Sequence, residues 1–332
     1  MIARATGSAV KAVMTFHPSR TEDNFELPFH GTTAEQVVRH TGIRYRKIAH
    51  PTWRFEDYAF ESATQFITAQ QLDKDQIDVL VCVTQSAGLS IPSLSFFLHE
   101  KLGLSESVCC LDVNLGCSGY VQGIHLVQSL LASIDKAESN GLLICGDFSS
   151  QLIDPEDQSV RPIFSDALSV THIKSSAEYK DKLSAYAIDS DGRGRQAIYL
   201  NEAKEGKLRL NGIDVFNYSM RMVPSNLVRL SESLPENAAK PIAVIFHQAN
   251  KIINDGLSRK MGYGNGFVPS TLQNYGNTAS ASIPLTICSY FSGTEIIQQN
   301  LLLCGFGIGF SVASGLVFFD TSIVHPPKCL DL

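Results

Sequence analysis

Residues Ser107–Ala132 read SVCCLDVNLGCSGYVQGIHLVQSLLA, and the contrast between the two parts of this stretch decides the fold class. Ser107–Val113 is a short apolar run of strand length. After Asn114-Leu-Gly, Cys117–Ala132 is apolar on nearly every side, with only Gln122, His125 and Gln128 interrupting. A helix greasy all round belongs inside a protein, so this unit sends a strand directly into a core helix. Similar units flank it. Ile77–Thr84 (IDVLVCVT) reads as a buried strand after a helix over Asp57–Gln71. Gly141–Asp147 (GLLICGD) is the next strand, and Arg161–Ile173 is a turn followed by a strand.

The second half repeats the style. Pro241–Asn250 is a strand ending in polar residues, and a helix runs over Lys251–Met261. Thr278–Phe291 is a second buried helix, its Pro284 being either a kink or an early-turn residue. Asn300–Asp320 is strand, Gly-rich turn, strand. Such alternation predicts an α/β fold. Phe164-Ser-Asp-Ala-Leu-Ser-Val and Phe306-Gly-Ile-Gly-Phe-Ser-Val look like one element used twice, which suggests two duplicated halves, 1–174 and 175–332. No linker-like run separates them, so one fused globule is expected.

Composition narrows the function classes. The chain has 332 residues with 27 Lys+Arg against 33 Asp+Glu, a net charge of −6. Hydrophobic residues make up 44% and charged residues 18%, which suits a large core or a face hidden in an oligomer. Disorder and a small disulfide scaffold are excluded. An acidic chain has no global attraction for nucleic acid or anionic membrane, and an acidic partner needs a local basic patch. The opening MIARATGSAVKAVMTF is too polar for a signal peptide, and no apolar run is long enough to span a membrane. The eight cysteines form no CxxC pair, and most lie in apolar runs. Buried free thiols, no metal and a cytoplasmic location are expected.

Three residues stand out chemically. Cys117 follows a strand and a Gly and opens the buried helix, where orphan N–H groups and the helix dipole favour a thiolate. It is either a nucleophile or a small residue packed at a helix start. Cys145 and Cys304 sit in or at the end of strands and read as core thiols. His247 ends an apolar strand, a common site position in α/β folds, though a lone His is more often structural. Asn277 lies in YGNTASAS, a turn where Asn commonly caps a helix or adopts a left-handed conformation.

Taken together, GCSGY at Cys117, HQAN at His247 and GNTASASIP at Asn277 resemble the β-ketoacyl-acyl-carrier-protein synthase III enzymes of the thiolase superfamily. HTGIRYRKIA (His40–Ala49), DPEDQ with RPIFSDA (Asp154–Ala167), GIDVF (Gly212–Phe216) and GFGIGFS (Gly305–Ser311) extend the likeness over most of the chain. The resemblance implies a layered αβαβα sandwich and a place in fatty acid biosynthesis. It also implies a homodimer, with the 77–84 and 107–113 regions near the interface. Cys117 would take an acyl group from a thioester, with the backbone N–H groups of Cys117 and Ile308 as the oxyanion hole. His247 and Asn277 would stabilise the enolate formed when a malonyl thioester loses carbon dioxide. Asn250 would contact the pantetheine arm, Gly212 would line the substrate channel, and Ile91 stands where a partner-subunit aromatic often closes the acyl pocket. No cofactor beyond pantetheine-linked substrates is implied.

The sequence also departs from the family. Its coenzyme-A enzymes clamp the adenine between a Trp and an Arg, where Gln36 and Gln158 stand here. His40 replaces a second Arg, and the single Trp, Trp53, falls elsewhere. Two Gln side chains build no stacking sandwich, which points from acyl-coenzyme A toward a donor delivered on acyl carrier protein. The helix after His247 offers Lys251, Arg259 and Lys260 to that acidic partner, although the family's docking Arg is Ile252 here. These cations equally suit a solvated helix face. Other relatives fit less well: Cys304 is one residue out of place for a thiolase's second Cys, and Thr84–Ser93 lacks the Glu of a hydroxymethylglutaryl-coenzyme-A synthase. A specialised acyltransferase passing the Cys-bound group to an alcohol or amine is the principal alternative. A non-catalytic partner subunit should have lost one of the three residues.

Overall fold

The computed structural model describes residues 1–332 except Ser90, residues 202–205, Asn265 and Ser322. The first half opens with β1 (Ile2–Thr6), β2 (Ser8–His17), β3 (Thr21–Asp23), α1 (Ala34–Thr41) and β4 (Tyr45–Lys47). Next come α2 (Phe55–Gln70), β5 (Ile77–Val83), α3 (Leu94–Leu102), β6 (Cys109–Val113), α4 (Gly119–Leu131), β7 (Glu138–Asp147) and β8 (Ala167–Ser176). The second half begins with β9 (Leu183–Ser190), β10 (Ile198–Asn201), β11 (Lys207–Leu210), α5 (Gly212–Ser233), β12 (Pro241–Phe246) and α6 (Lys251–Met261). It closes with α7 (Leu272–Tyr275), α8 (Ser282–Tyr290), β13 (Ile296–Gly307), β14 (Ser311–Thr321) and β15 (Lys328–Cys329).

Strand pairing repeats between the halves. β5 and β7 are parallel, β7 and β8 antiparallel, and β8 and β2 antiparallel. Likewise β12 and β13 are parallel, β13 and β14 antiparallel, and β14 and β9 antiparallel. The two leaves join where β14 meets β2 at Phe319 and Val10. The two look-alike stretches at Phe164 and Phe306 lead into β8 and β14, which hold equivalent places. The expected boundary after residue 174 falls inside β8, two residues before its end.

Alternation along each strand sorts side chains into layers. Val79, Val81 and Val83 of β5 join Ala243 and Ile245 of β12 and Leu301 and Leu303 of β13 in one core. That core encloses Tyr120, Val121, Ile124 and Val127 of α4 and Ile283 and Ile287 of α8. Leu80 and Cys82 face the other way, toward α2 and α3, in a second core. Val244 and Phe246 face a third, with α5 and α6. The result is the αβαβα sandwich, with both greasy helices in its middle layer.

Several elements shift from the sequence reading. The core helix starts at Gly119, so Cys117 precedes it and Ser118 is its N-cap. A short 3₁₀ turn over Ala279–Ala281 precedes α8, which places Pro284 in the first helical turn rather than at a kink. Strand β5 is buried throughout, whereas β6 is an edge strand with Cys109 exposed and Leu111 38% exposed. Of the two segments expected near an interface, only β6 therefore reaches the surface. Cys329 is also exposed, so two of the thiols expected inside lie outside. No helix among the described residues is long and apolar enough to cross a membrane.

One contact ties the fold to the site. A Cβ at Gly305 of β13 would lie 2.6 Å from the Cys117 carbonyl oxygen and 2.8 Å from Ser118 Cα. Both are backbone atoms and cannot rotate away. Gly305→Ala should cost roughly 1–3 kcal/mol and lower the thermal denaturation midpoint by several degrees. An unchanged midpoint would show that the two backbones are not in contact.

Candidate active site

Three loops converge at the seam between the leaves. The first carries Cys117 from the end of β6 to the start of α4. A Cβ at Gly116 would sit 2.5 Å from Gln85 Oε1, and one at Gly119 would sit 2.5 Å from Val83 Cγ1, so small residues hold the loop tight against β5. The second loop is the β13–β14 turn. A Cβ at Gly307, whose φ is +156°, would lie 3.1 Å from Cys117 Sγ, so the sulfur rests on bare backbone. Gln122 Nε2 donates to Ser118 Oγ at 3.0 Å, Ser118 meets Ser311 Oγ at 2.7 Å, and Ser311 Oγ donates to the Ile308 carbonyl at 3.0 Å. This relay locks the turn to α4. Among the described residues, the backbone N–H groups of Cys117 and Ile308 donate to no carbonyl oxygen.

The third loop is the GNT turn, which faces His247. His247 lies one residue past β12, and its N–H donates to the Cys304 carbonyl at 2.8 Å. The ring packs edge-on to Phe306 at 5.5 Å, and Nδ1 lies 2.7 Å from Ser282 Oγ. Ser282 Oγ also accepts from the Gln248 N–H at 3.4 Å, and the Ala279 backbone hydrogen-bonds to the imidazole as well. Asn277 is pinned by its N–H to the Ile163 carbonyl and its carbonyl to the Ser165 N–H, both at 2.9 Å. Its Oδ1 accepts from the Ala279 N–H at 2.9 Å, which leaves the Nδ2 donors for the cavity. Ala279 pays for this geometry with a φ of +47°, a left-handed conformation uncommon outside Gly.

Cys117, His247 and Asn277 line one narrow cavity of about 60 Å³, together with Ile308, Asn250 and Gly212. Asn250 also caps α6, accepting the Ile253 N–H at 2.9 Å. Other expected site residues lie elsewhere. Ile91 is 92% exposed and does not line the cavity of its own chain. Lys251 pairs with Asp255 at 2.5 Å, Lys260 donates to the Met220 carbonyl at 2.9 Å, and Arg259 is exposed. Gln36 turns back into the capping box of α1 with Thr33, and Gln158 accepts the His30 N–H at 2.9 Å. Sequence reasoning missed Gln85, Asp147 and Ser149, which also line the cavity. The signal for Asp147 was present, as an acid at the end of the buried strand GLLICGD. Among the described residues no group of three His, Cys, Asp or Glu could hold a metal ion.

The electrostatics overturn the expectation of a ready thiolate. Burial pushes the Cys117 thiol up to about 12, the nearby Asp147 carboxyl adds to this, and the residue's own N–H only partly opposes it. Burial likewise moves the Cys288 and Cys304 thiols to about 12, so charge does not distinguish Cys117 from core thiols. Access to the cavity does. Desolvation also lowers His247 to about 3 against an opposing contribution from the Ala279 backbone, so the resting pair is neutral thiol and neutral imidazole. Below its pKa a thiol's ionised fraction rises about tenfold per pH unit. Alkylation of Cys117 by iodoacetamide, followed by peptide mass, should therefore climb steadily from pH 7 to pH 10. A plateau near pH 7–8 would mean that the helix start outweighs burial.

The chain's comparisons with known proteins agree with this geometry. A family model described as 3-oxoacyl-[acyl-carrier-protein] synthase III matches residues 111–192, and one for the C-terminal part of the same enzymes matches residues 239–319. A β-ketoacyl-[acyl-carrier-protein] synthase III of Staphylococcus aureus (strain JH1) is 28% identical over 305 residues, 91% of this chain and 96% of that protein. The structure of a 3-oxoacyl-(acyl-carrier protein) synthase from Burkholderia xenovorans LB400 superposes with a TM-score of 0.87 at 28% identity, covering 98% of each chain. The priming β-ketosynthase of the R1128 polyketide pathway shares the fold, with a TM-score of 0.82 at 22% identity over 95% of this chain and 97% of that one. Matched by both family models and sharing its fold with these proteins over nearly its whole length, the chain belongs to the β-ketoacyl-acyl-carrier-protein synthase III family of the thiolase superfamily.

Proposed function

We propose that this protein is a condensing enzyme that loads an acyl group on Cys117 and extends it with a malonyl unit from acyl carrier protein. The observation that carries the reading is one cavity lined by Cys117, His247 and Asn277, with Asn277 Oδ1 committed to the Ala279 N–H so that its Nδ2 group is left to donate. In the first half-reaction the Cys117 sulfur adds to the thioester carbonyl. The oxyanion forms against the N–H groups of Cys117 and Ile308, and the pantetheine sulfur leaves with the thiol proton. Because thiol and imidazole are both neutral at rest, the thiolate arises only as the bond forms. In the second, the malonyl carboxylate leaves as carbon dioxide and its electron pair becomes the enolate. Two fixed donors in a dry site stabilise the single enolate oxygen. The enolate carbon attacks the Cys117 thioester, a carbon–carbon bond forms, and the sulfur leaves and is reprotonated.

The commitment of Gln36 and Gln158 to local hydrogen bonds supports a donor carried on acyl carrier protein rather than coenzyme A. The exposed helix bearing Lys251, Arg259 and Lys260 would receive that acidic protein, and Asn250 and Gly212 would line the pantetheine path. The duplicated halves divide the labour, residues 1–174 holding the nucleophile and residues 175–332 the His and Asn. All eight cysteines are unpaired, which suits the cytoplasm.

Intact-protein mass and release of labelled carbon dioxide from malonyl-acyl carrier protein test the chemistry. Cys117→Ala should carry no acyl adduct. Asn277→Ala should still become acylated, yet release carbon dioxide about 100–1,000-fold more slowly, the usual loss for one oxyanion-type donor. A wild type that is acylated but releases none would instead be an acyltransferase to an alcohol or amine.

The free edge of β6 supports a homodimer. Leu111 on that strand and Ile91 and Phe96 beside it on the α3 side are 38%, 92% and 58% exposed, an apolar patch beside unpaired backbone. Pairing there would also bring Ile91 toward the partner's acyl pocket. Light scattering should give twice the 36.3 kDa chain mass, and a monomeric value at micromolar concentration would sink the proposal.

A further inference from the structure

Asp147, the last residue of β7, lines the Cys117 cavity, is 2% exposed and has no part in the two half-reactions described above. A carboxyl in such a place is costly unless its oxygens are paired. Its partners come from both halves of the chain. Oδ1 accepts from the Gln85 N–H at 2.7 Å and from the Thr84 hydroxyl at 3.1 Å, both on the segment leaving β5. Oδ2 accepts from the Ser280 hydroxyl at 2.9 Å, 133 residues along the chain. The first of these partners rests against the nucleophile loop, since a Cβ at Gly116 would lie 2.5 Å from Gln85 Oε1.

The last partner, Ser280, belongs to the turn that presents Asn277. Between the two lies Ala279, whose N–H donates to Asn277 Oδ1 at 2.9 Å and whose φ is +47°. A left-handed Ala persists only where its surroundings hold it. On the upstream side the turn is held by the backbone bonds of Asn277 to Ile163 and Ser165. On the downstream side the tie is the Ser280 hydroxyl. The neighbouring Thr278 hydroxyl is buried and has no partner among the described residues, so it holds nothing. A carboxylate suits the junction because it accepts from all three donors at once, whereas an amide has a single acceptor oxygen.

We infer that Asp147 is a positioning residue for the second half-reaction: through Ser280 it fixes the turn that carries Asn277, and so sets the amide donor relative to Cys117. This rests on the reading of Asn277 as a donor to the enolate. A carboxyl that only filled the core would matter equally to both half-reactions. One that places Asn277 matters to the second.

The two half-reactions are measured side by side, loading of Cys117 from butanoyl-pantetheine by intact mass and release of labelled carbon dioxide from malonyl-acyl carrier protein. Ser280→Ala removes the tie and leaves Asp147 its other two donors. It should load within about twofold of the wild type yet release carbon dioxide about 10–100-fold more slowly, the loss that a displacement of about 1 Å brings. Asp147→Asn keeps an acceptor for Thr84 and Gln85 but sets an amide N–H₂ opposite Ser280. It should lower the ratio of release to loading in the same direction, and it decides the matter should Ser280→Ala not fold. Added to Asn277→Ala, Ser280→Ala should change release by less than about twofold, because a residue acting through Asn277 then has nothing left to place. Equal losses in loading and release, wild-type release in both single variants, or a full further loss on top of Asn277→Ala would each overturn the inference alone. A wild type that loads but releases no carbon dioxide would overturn the reading of Asn277, and this inference with it.

Discussion

The backbone of β13 crosses the start of α4 with no side chain between them. Gly305 lies against the Cys117 carbonyl and Ser118 Cα, and Gly307 lies against the sulfur. Most of the site depends on this approach. It brings Ile308 and Cys117 to the same cavity, and it holds the sulfur between the two leaves of the sheet. The same closeness sets the thickness of the middle layer, where α4 and α8 pack between the leaves. A layer of two helices buried on all sides must be apolar all round, and the α4 sequence meets that condition except where Gln122, Gln128 and His125 find partners. Gln128, for example, donates to Ser184 Oγ at 3.3 Å and accepts from the Tyr186 hydroxyl at 2.5 Å.

Burial governs the chemistry more than local dipoles do. Cys117, His247 and Asp147 all sit where water is excluded, and each is shifted toward its neutral form. For Asp147 the folded value is raised from 3.8 to about 6. The ionised carboxylate is thus disfavoured by about 3 kcal/mol in the folded state. The sign follows directly: this group's contribution to stability is greatest below the unfolded value and is lost as the pH rises through 6. Hydrogen bonds from Thr84, Gln85 and Ser280 offset part of that cost and fix the carboxyl behind the nucleophile.

Division of the site between the halves follows from the repeated topology. The loops leaving β6, β12 and β13 line one cavity. The first half brings Cys117 to this cavity from the turn before α4, and the second brings Asn277 from the turn before α8.

Much of this was legible in the chain. The greasy run after Gly116 and the short apolar strands were enough for an α/β fold, because helix periodicity and strand length are local properties, while the layered sandwich and the choice of Cys117, His247 and Asn277 came from the family resemblance of the GCSGY, HQAN and GNT segments. Other features were not local. SVCCLDV has the composition of a buried strand, yet β6 lies at a sheet edge, because an apolar run does not say whether a neighbour covers it. The helix start at Cys117 argued for a low thiol pKa, but desolvation sums over the whole surrounding fold and outweighs one helix end. Gln85 and Asp147 are 62 residues apart and meet only because β5 and β7 pair in parallel. The sequence by itself determined which segments are strands and core helices. Only the tertiary structure decided which strand is left open, which groups lose their charge and which residues line one cavity, because those depend on contacts between residues far apart in the chain.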